Sequence, residues 1–133
     1  MHTHWELLAK LRKKEVPEGF CSEAMEFFAD EGYIDDFDYA VRYIKDASRL
    51  KRQGEGRIRQ YLAGPSKRID REVVERAFAE ADVDFADGLQ QAIEAKARNL
   101  DLSNRKDRDK LIKHLVYRGF KLGEIFEKLR SMD

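Results

Sequence analysis

The apolar residues of this 133-residue chain recur at a spacing of about 50 positions. Ile58 and Leu62 are followed 53 positions later by Leu111 and Leu115, with the same step of four between the two members of each pair. A step of four places two side chains on one face of a helix. A period of this length in a helical chain is typical of stacked three-helix units, which bury their apolar faces against one another.

The composition favours helix in every unit. The only prolines are Pro17 and Pro65, and no stretch alternates apolar and polar residues long enough to indicate a strand. We therefore expect an all-α protein built from tandem three-helix repeats that form an elongated, curved helical array. The expected boundaries are 1–34 for a partial first repeat of two helices, 35–82 for the second repeat and 83–133 for the third.

A helix stop and a helix start lie three residues apart before the second repeat. Gly32 can adopt the left-handed conformation that ends a helix, and Asp35 can accept the backbone N–H groups that begin the next one. Two adjacent carboxylates at a helix start, Asp35 and Asp36, are typical of a cap and a dipole partner rather than of a catalytic pair. Apolar residues then continue at helical spacing until Gly54 and Gly56 end the helix.

Other polar residues indicate where the remaining helices begin. Thr3 and Glu6 have the spacing of a capping box, in which each side chain bonds the other residue's backbone N–H. The remaining predicted N-caps are Ser22, Asp70, Asp84 and either Ser103 or Asn104.

Four motifs, in order along the chain, resemble the RecX family of small bacterial regulators of the RecA recombinase. They are Gly32-Tyr33-Ile34-Asp35-Asp36; Tyr39-Ala40 with Arg42-Tyr43-Ile44; Gly54 with Arg57-Ile58-Arg59 and Leu62; and Lys113 through Arg118-Gly119-Phe120. The resemblance implies a helical array that binds the RecA nucleoprotein filament and inhibits its ATPase and strand-exchange activity, in recombinational DNA repair and the SOS response. Arg52 departs from the family pattern, because it stands where the first of two spaced glycines is usual.

The resemblance also implies roles for particular residues. The motif residues with an expected structural role are Gly32, Tyr33, Asp35, Asp36, Gly119 and Phe120. The basic residues expected to meet the acidic filament surface or nearby DNA phosphates are Arg42, Arg57, Arg59, Lys96, Arg98, Lys113 and Arg118. For each of these taken singly, an ordinary solvated surface position is the alternative.

The charges are zoned although the net charge is zero. Residues 15–41 carry nine acidic and no basic side chains, whereas residues 42–71 carry ten basic and three acidic ones. A third zone, residues 90–133, is again basic, with eleven basic and seven acidic side chains. Such alternation favours distinct acidic and basic faces that steer a charged partner.

The residue types argue against an enzyme. The sequence contains no glycine-rich phosphate loop, and no cysteine or serine stands next to a helix-spaced histidine. His114 is better explained as a half-buried structural histidine than as a catalytic one, and His2 and His4 lack a third ligand for a metal. We expect no catalytic residue, cofactor, metal or small-molecule substrate.

The sequence also bears on the cellular compartment and on two alternative functions. A single cysteine, Cys21, favours a reducing compartment, and no apolar run or leader suggests a membrane span, so we expect a cytoplasmic protein. A non-sequence-specific DNA-binding helical module and a generic helical scaffold remain open alternatives. The direction of regulation and the stoichiometry are also open.

Overall fold

The computed structural model describes residues 2–31 and 34–132. Within these ranges the chain forms eight α-helices: α1 (His4–Lys13), α2 (Glu18–Asp30), α3 (Asp36–Leu50), α4 (Glu55–Ala63), α5 (Arg71–Ala81), α6 (Phe85–Ala97), α7 (Arg105–Tyr117) and α8 (Leu122–Ser131). No β-strand occurs in the described ranges, where extended pairing is limited to an isolated parallel bridge between His2 and Ile34. The predicted all-α class is confirmed.

The helices belong to two compact units. The first unit comprises Met1–Ile44 and Gln60–Asp82, and the second comprises Lys45–Arg59 and Val83–Asp133. The division therefore falls within α3 and within α4. The boundaries of the three sequence repeats remain a prediction.

The first unit has a core of small and medium apolar side chains. They recur at helical spacing in α2, α3 and α5, which is why one face of each helix is buried. The buried apolar residues of this unit are Cys21, Met25, Ala40, Ile44, Leu62, Ile69, Val74, Ala77 and Ala81. Trp5, the chain's single tryptophan, lies beneath the Arg68 guanidinium at 4.2 Å from the ring centroid.

The second unit contains a continuous apolar cluster contributed by α6, α7 and α8. Each helix supplies a pair of buried residues four positions apart, as the repeat predicts. The buried members are Leu89, Ala92, Ile93, Leu111, Leu115, Phe120, Ile125 and Leu129. Leu100, Leu102 and Ile112 pack against this cluster from the outside.

Most predicted helix starts are confirmed. Thr3 and Glu6 form the capping box, with 3.2 Å from the Glu6 N–H to Thr3 Oγ1. The side chains of Asp35, Asp84 and Asn104 each accept a first-turn backbone N–H at 2.9–3.0 Å. These bonds satisfy donors that a helix start would otherwise leave unpaired.

Two predicted caps are wrong in detail. α2 begins at Glu18 rather than after Ser22, whose hydroxyl instead donates to the Glu18 carbonyl inside the helix at 3.3 Å. Pro17 precedes the first turn, and its restricted φ and missing N–H suit a helix start. Asp70 does precede α5, but its side chain makes no capping bond.

Candidate partner-binding surface

A backbone joint holds together two of the motif segments in the second unit. The Gly54 N–H donates to the Arg118 carbonyl at 2.7 Å, and the Gly56 N–H donates to the Gly119 carbonyl at 3.1 Å. A Cβ on Gly54 would lie 2.5 Å from the Gly119 carbonyl carbon, so glycine is required for this approach. Gly119 has φ +100°, and a Cβ there would lie 2.5 Å from the Arg57 Cβ. We call these contacts the glycine joint.

Phe120 fixes the other side of the joint to the core. It is 5% exposed, and its N–H donates to the Leu115 carbonyl at 3.1 Å. Gly119 and Phe120 therefore form the turn between α7 and α8, so their role is structural.

The joint also sets the positions of two predicted partner-binding arginines. The Arg57 guanidinium lies 4.6 Å from the centroid of the Tyr117 ring and donates to the Tyr117 carbonyl at 3.1 Å. Arg118 donates to the Lys51 carbonyl at 2.9 Å. A guanidinium carries five N–H donors, so each arginine is fixed by one bond and retains donors for a partner.

Two other predicted arginines are engaged by carboxylates on their own helices. Arg59 makes two bonds to Glu55 Oε1, at 2.7 and 3.1 Å, and Arg42 lies 3.1 Å from Asp38. Ion pairs between residues four positions apart partly neutralise the arginine charge, and each stabilises its helix by about 0.3–0.5 kcal/mol.

Three of the predicted residues, Lys96, Arg98 and Lys113, are exposed. Among the described residues, no carboxylate forms an ion pair with Lys96, Arg98 or Lys113. They lie on α6, just after it and on α7, all in the second unit. Their charges are therefore available to a partner.

A basic concavity of about 190 Å³ lies in the same unit. Its lining residues are Arg52, Ala92, Ala95, Lys96, His114 and Arg118. Burial lowers the pKa of His114, and the nearby charges of Lys96 and Arg118 lower it further. Arg52 was not among the residues predicted to meet a partner, although an arginine in place of a usual glycine distinguishes this position.

In the first unit, the motif tyrosines Tyr39 and Tyr43 form a stack with Tyr61. The rings of Tyr43 and Tyr61 lie 4.3 Å apart, and those of Tyr39 and Tyr43 lie 6.4 Å apart. Lys67 Nζ lies 5.2 Å from the centroid of the Tyr39 ring, and it forms an ion pair with Glu6 Oε2 at 2.8 Å. Burial, followed by the bond to the Tyr61 hydroxyl, raises the pKa of Tyr39 to about 12. Tyr39 is therefore neutral at ordinary pH, and its place in the stack is structural.

The acidic motif residues of the first unit also have structural partners. Asp35 caps α3, and Asp36 accepts the His4 N–H at 2.8 Å. Burial raises the pKa of Asp36, against that hydrogen bond, which lowers it. Gly32 and Tyr33, the other residues of this motif with a predicted structural role, lie outside the described residues.

The described residues contain neither a metal-binding cluster nor a helix fit to span a membrane. No group of three or more His, Cys, Asp or Glu side chains there is arranged to hold a metal ion. In the same part of the chain, no helix combines the length and apolar character that a membrane crossing requires.

Comparison with known proteins identifies the family. Regulatory protein RecX of Vibrio campbellii is 32% identical to this chain over 132 residues, which cover 99% of the chain and 83% of that relative. The chain belongs to the RecX family. The RecX proteins of Vibrio vulnificus and Salmonella paratyphi A are 34% and 32% identical over 93% and 98% of the chain, covering 79% and 82% of their own lengths. No protein-family model matches the sequence.

Solved RecX structures share the fold. The crystal structure of RecX from Lactobacillus salivarius matches with a TM-score of 0.81 at 23% identity, covering all of this chain and 86% of that one. At this identity the likeness concerns the fold alone. In this RecX family member, six of the seven predicted partner-binding residues lie in the second unit, and Arg42 lies in the first.

Proposed function

We propose that this chain binds the RecA nucleoprotein filament and inhibits its ATP hydrolysis and strand exchange. Membership of the RecX family supports a regulatory role. The observation that carries the proposal is the set of exposed cations without ion pairs among the described residues, Lys96, Arg98 and Lys113, beside the fixed Arg118.

These cations suit two kinds of neighbour within such a filament. Acidic side chains of RecA and phosphates of the DNA both attract lysine and arginine, and long-range attraction speeds encounter. The chain would act as a regulator without catalytic residues of its own, in the cytoplasm, where the filament forms.

The test is ATP turnover by preformed RecA filaments on single-stranded DNA, titrated with this protein. Wild-type protein should lower turnover and sediment with the filaments. The double variant Lys96→Glu/Lys113→Glu should need a clearly higher concentration for the same effect, because it reverses two exposed positive charges. Arg59 is a poorer choice, since reversing it also disrupts its pair with Glu55.

A matched control is available in α1. Lys13→Glu/Lys14→Glu makes the same change in net charge on exposed residues at a helix end. It should inhibit as the wild type does. Undiminished turnover at saturating wild-type protein, with no sedimentation on filaments, would refute the proposal.

Direct binding to naked DNA is the second candidate function. The basic concavity favours it, because no carboxylate is among its lining residues. Binding of this kind would be independent of sequence, and a variant that neutralises one phosphate fewer would reduce the slope of log affinity against log salt by about 0.9. If inhibition of turnover follows affinity for naked DNA across the variants, this candidate replaces filament binding.

A further inference from the structure

The basic concavity of the second unit has the composition of an oxyanion site. Arg52, Lys96 and Arg118 bring cations to it from three separate segments, and Ala92 and Ala95 leave space between them. Its volume of about 190 Å³ is several times the roughly 30 Å³ that one water molecule occupies in the liquid. A phosphate group with part of its hydration shell would fit.

The backbone at Arg52 is unusual for a residue of this type. Its φ is +50°, the left-handed conformation in which glycine commonly follows a helix. Glu15, Arg68 and Asp82 also have positive φ, so the backbone alone does not indicate a site. At Arg52 it coincides with a side chain that lines a cationic concavity.

Helix dipoles explain only part of this arrangement. Lys96 lies in the last turn of α6 and Arg118 caps α7, where cations are favourable. Neither position requires that the two cations meet a third one. Gathering cations at one point is unfavourable unless an anion joins them.

We propose that this concavity binds a phosphate group, held by Arg52, Lys96 and Arg118. Binding at this concavity would not require RecA, because it involves only this chain's residues and a small anion. Charge-assisted hydrogen bonds from arginine and lysine are the usual means of holding such a group.

His114 makes the site sensitive to pH. The charged groups that line the concavity with it are Arg52, from the segment after α3, Lys96 on α6 and Arg118 at the end of α7. The pKa of its ring is lowered by burial and by Lys96 and Arg118, which favours the neutral ring. A bound anion opposes the effect of those cations and raises this pKa. By linkage, affinity for the anion increases as the pH falls through the His114 pKa.

The experiment is an NMR titration of the imidazole C–H signals with sulfate, at constant ionic strength set with sodium chloride. Sulfate stands in for phosphate because its charge does not change across the pH range used. We expect a saturable shift of the His114 signals and a raised His114 pKa. His2 and His4, both exposed, serve as internal controls and should show neither effect.

Arg52→Gly separates binding from folding. Glycine adopts the same backbone without strain, so the thermal midpoint should stay the same or rise. Sulfate affinity should fall at least roughly tenfold, as expected when one charged hydrogen bond is removed. Lys110→Ala, on an exposed position of α7 outside the lining, should bind sulfate as the wild type does.

Short single-stranded oligodeoxynucleotides, with and without a 5′-phosphate, identify the source of the group. A His114 shift with both identifies backbone phosphodiesters, and a shift only with the phosphorylated one identifies a terminal phosphate. A shift with sulfate alone identifies a small free oxyanion. Each of these three outcomes supports the proposed phosphate site. It is overturned if sulfate shifts His114 no more than chloride does, or if Arg52→Gly retains full affinity.

Discussion

Gly119→Ala tests the glycine joint directly. At φ +100° an alanine is strained, which costs about 1–3 kcal/mol. The added Cβ would also lie 2.5 Å from both the Cβ and the backbone N of Arg57. Relieving that overlap moves apart the two segments of the joint and weakens the hydrogen bonds of Gly54 and Gly56, each contributing about 0.5–1.5 kcal/mol. We expect a total loss of roughly 2–6 kcal/mol in the free energy of unfolding.

Urea denaturation followed by far-ultraviolet circular dichroism measures this loss. Gly88→Ala is the matched control, because Gly88 lies inside α6 with no atom within 4 Å of an added Cβ. That change should stabilise the helix by about 0.5–1 kcal/mol. If Gly119→Ala costs less than about 1 kcal/mol, the lower bound for such strain, the joint does not constrain the fold in the way described.

Two other perturbations address other parts of the molecule. Leu115→Ala should cost roughly 2–5 kcal/mol in the same denaturation assay, because Leu115 is fully buried in the cluster of the second unit; an unchanged midpoint would contradict that packing. Burial alone would raise the pKa of Glu6, but the hydrogen bonds from Lys67 and Thr3 outweigh it and lower the pKa. Glu6 therefore contributes stability above its unfolded pKa of about 4.3, which is lost as the pH falls through the lower folded value. Thermal midpoints of Glu6→Gln should accordingly depend less on pH between about 5 and 3 than those of the wild type. If the midpoints of the two proteins change equally with pH, the lowered pKa of Glu6 is refuted.

Helix starts were predictable where a local side chain decides them. Thr3, Asp35 and Asp84 bond backbone groups within three residues, so the sequence contains both partners. The start of α2 was missed because Pro17 and Ser22 offer competing starts. The proline prevailed through its backbone geometry, which a search for side-chain acceptors overlooks.

The candidate surface was predictable only as a set of basic residues. Arg42 and Arg59 are engaged by carboxylates four positions away on their own helices. Arg57 and Arg118 are instead engaged by contacts with Tyr117 and Lys51, across 60 and 67 positions. These follow from the glycine joint, whose pairing no local pattern specifies. Arg52 and His114 come together only once three segments meet to form the concavity, so no local pattern indicates that they are neighbours. Contact of any of these residues with a partner stays a prediction.

The position of Trp5 gives the protein an optical label for one of its units. Trp5 is the sole tryptophan and lies in the first unit, under the guanidinium of Arg68. Its emission on selective excitation therefore reports on the surroundings of that unit, whereas circular dichroism reports on helices of both. Recording the two signals in one denaturation shows, without any added dye, whether the units unfold together or one after the other.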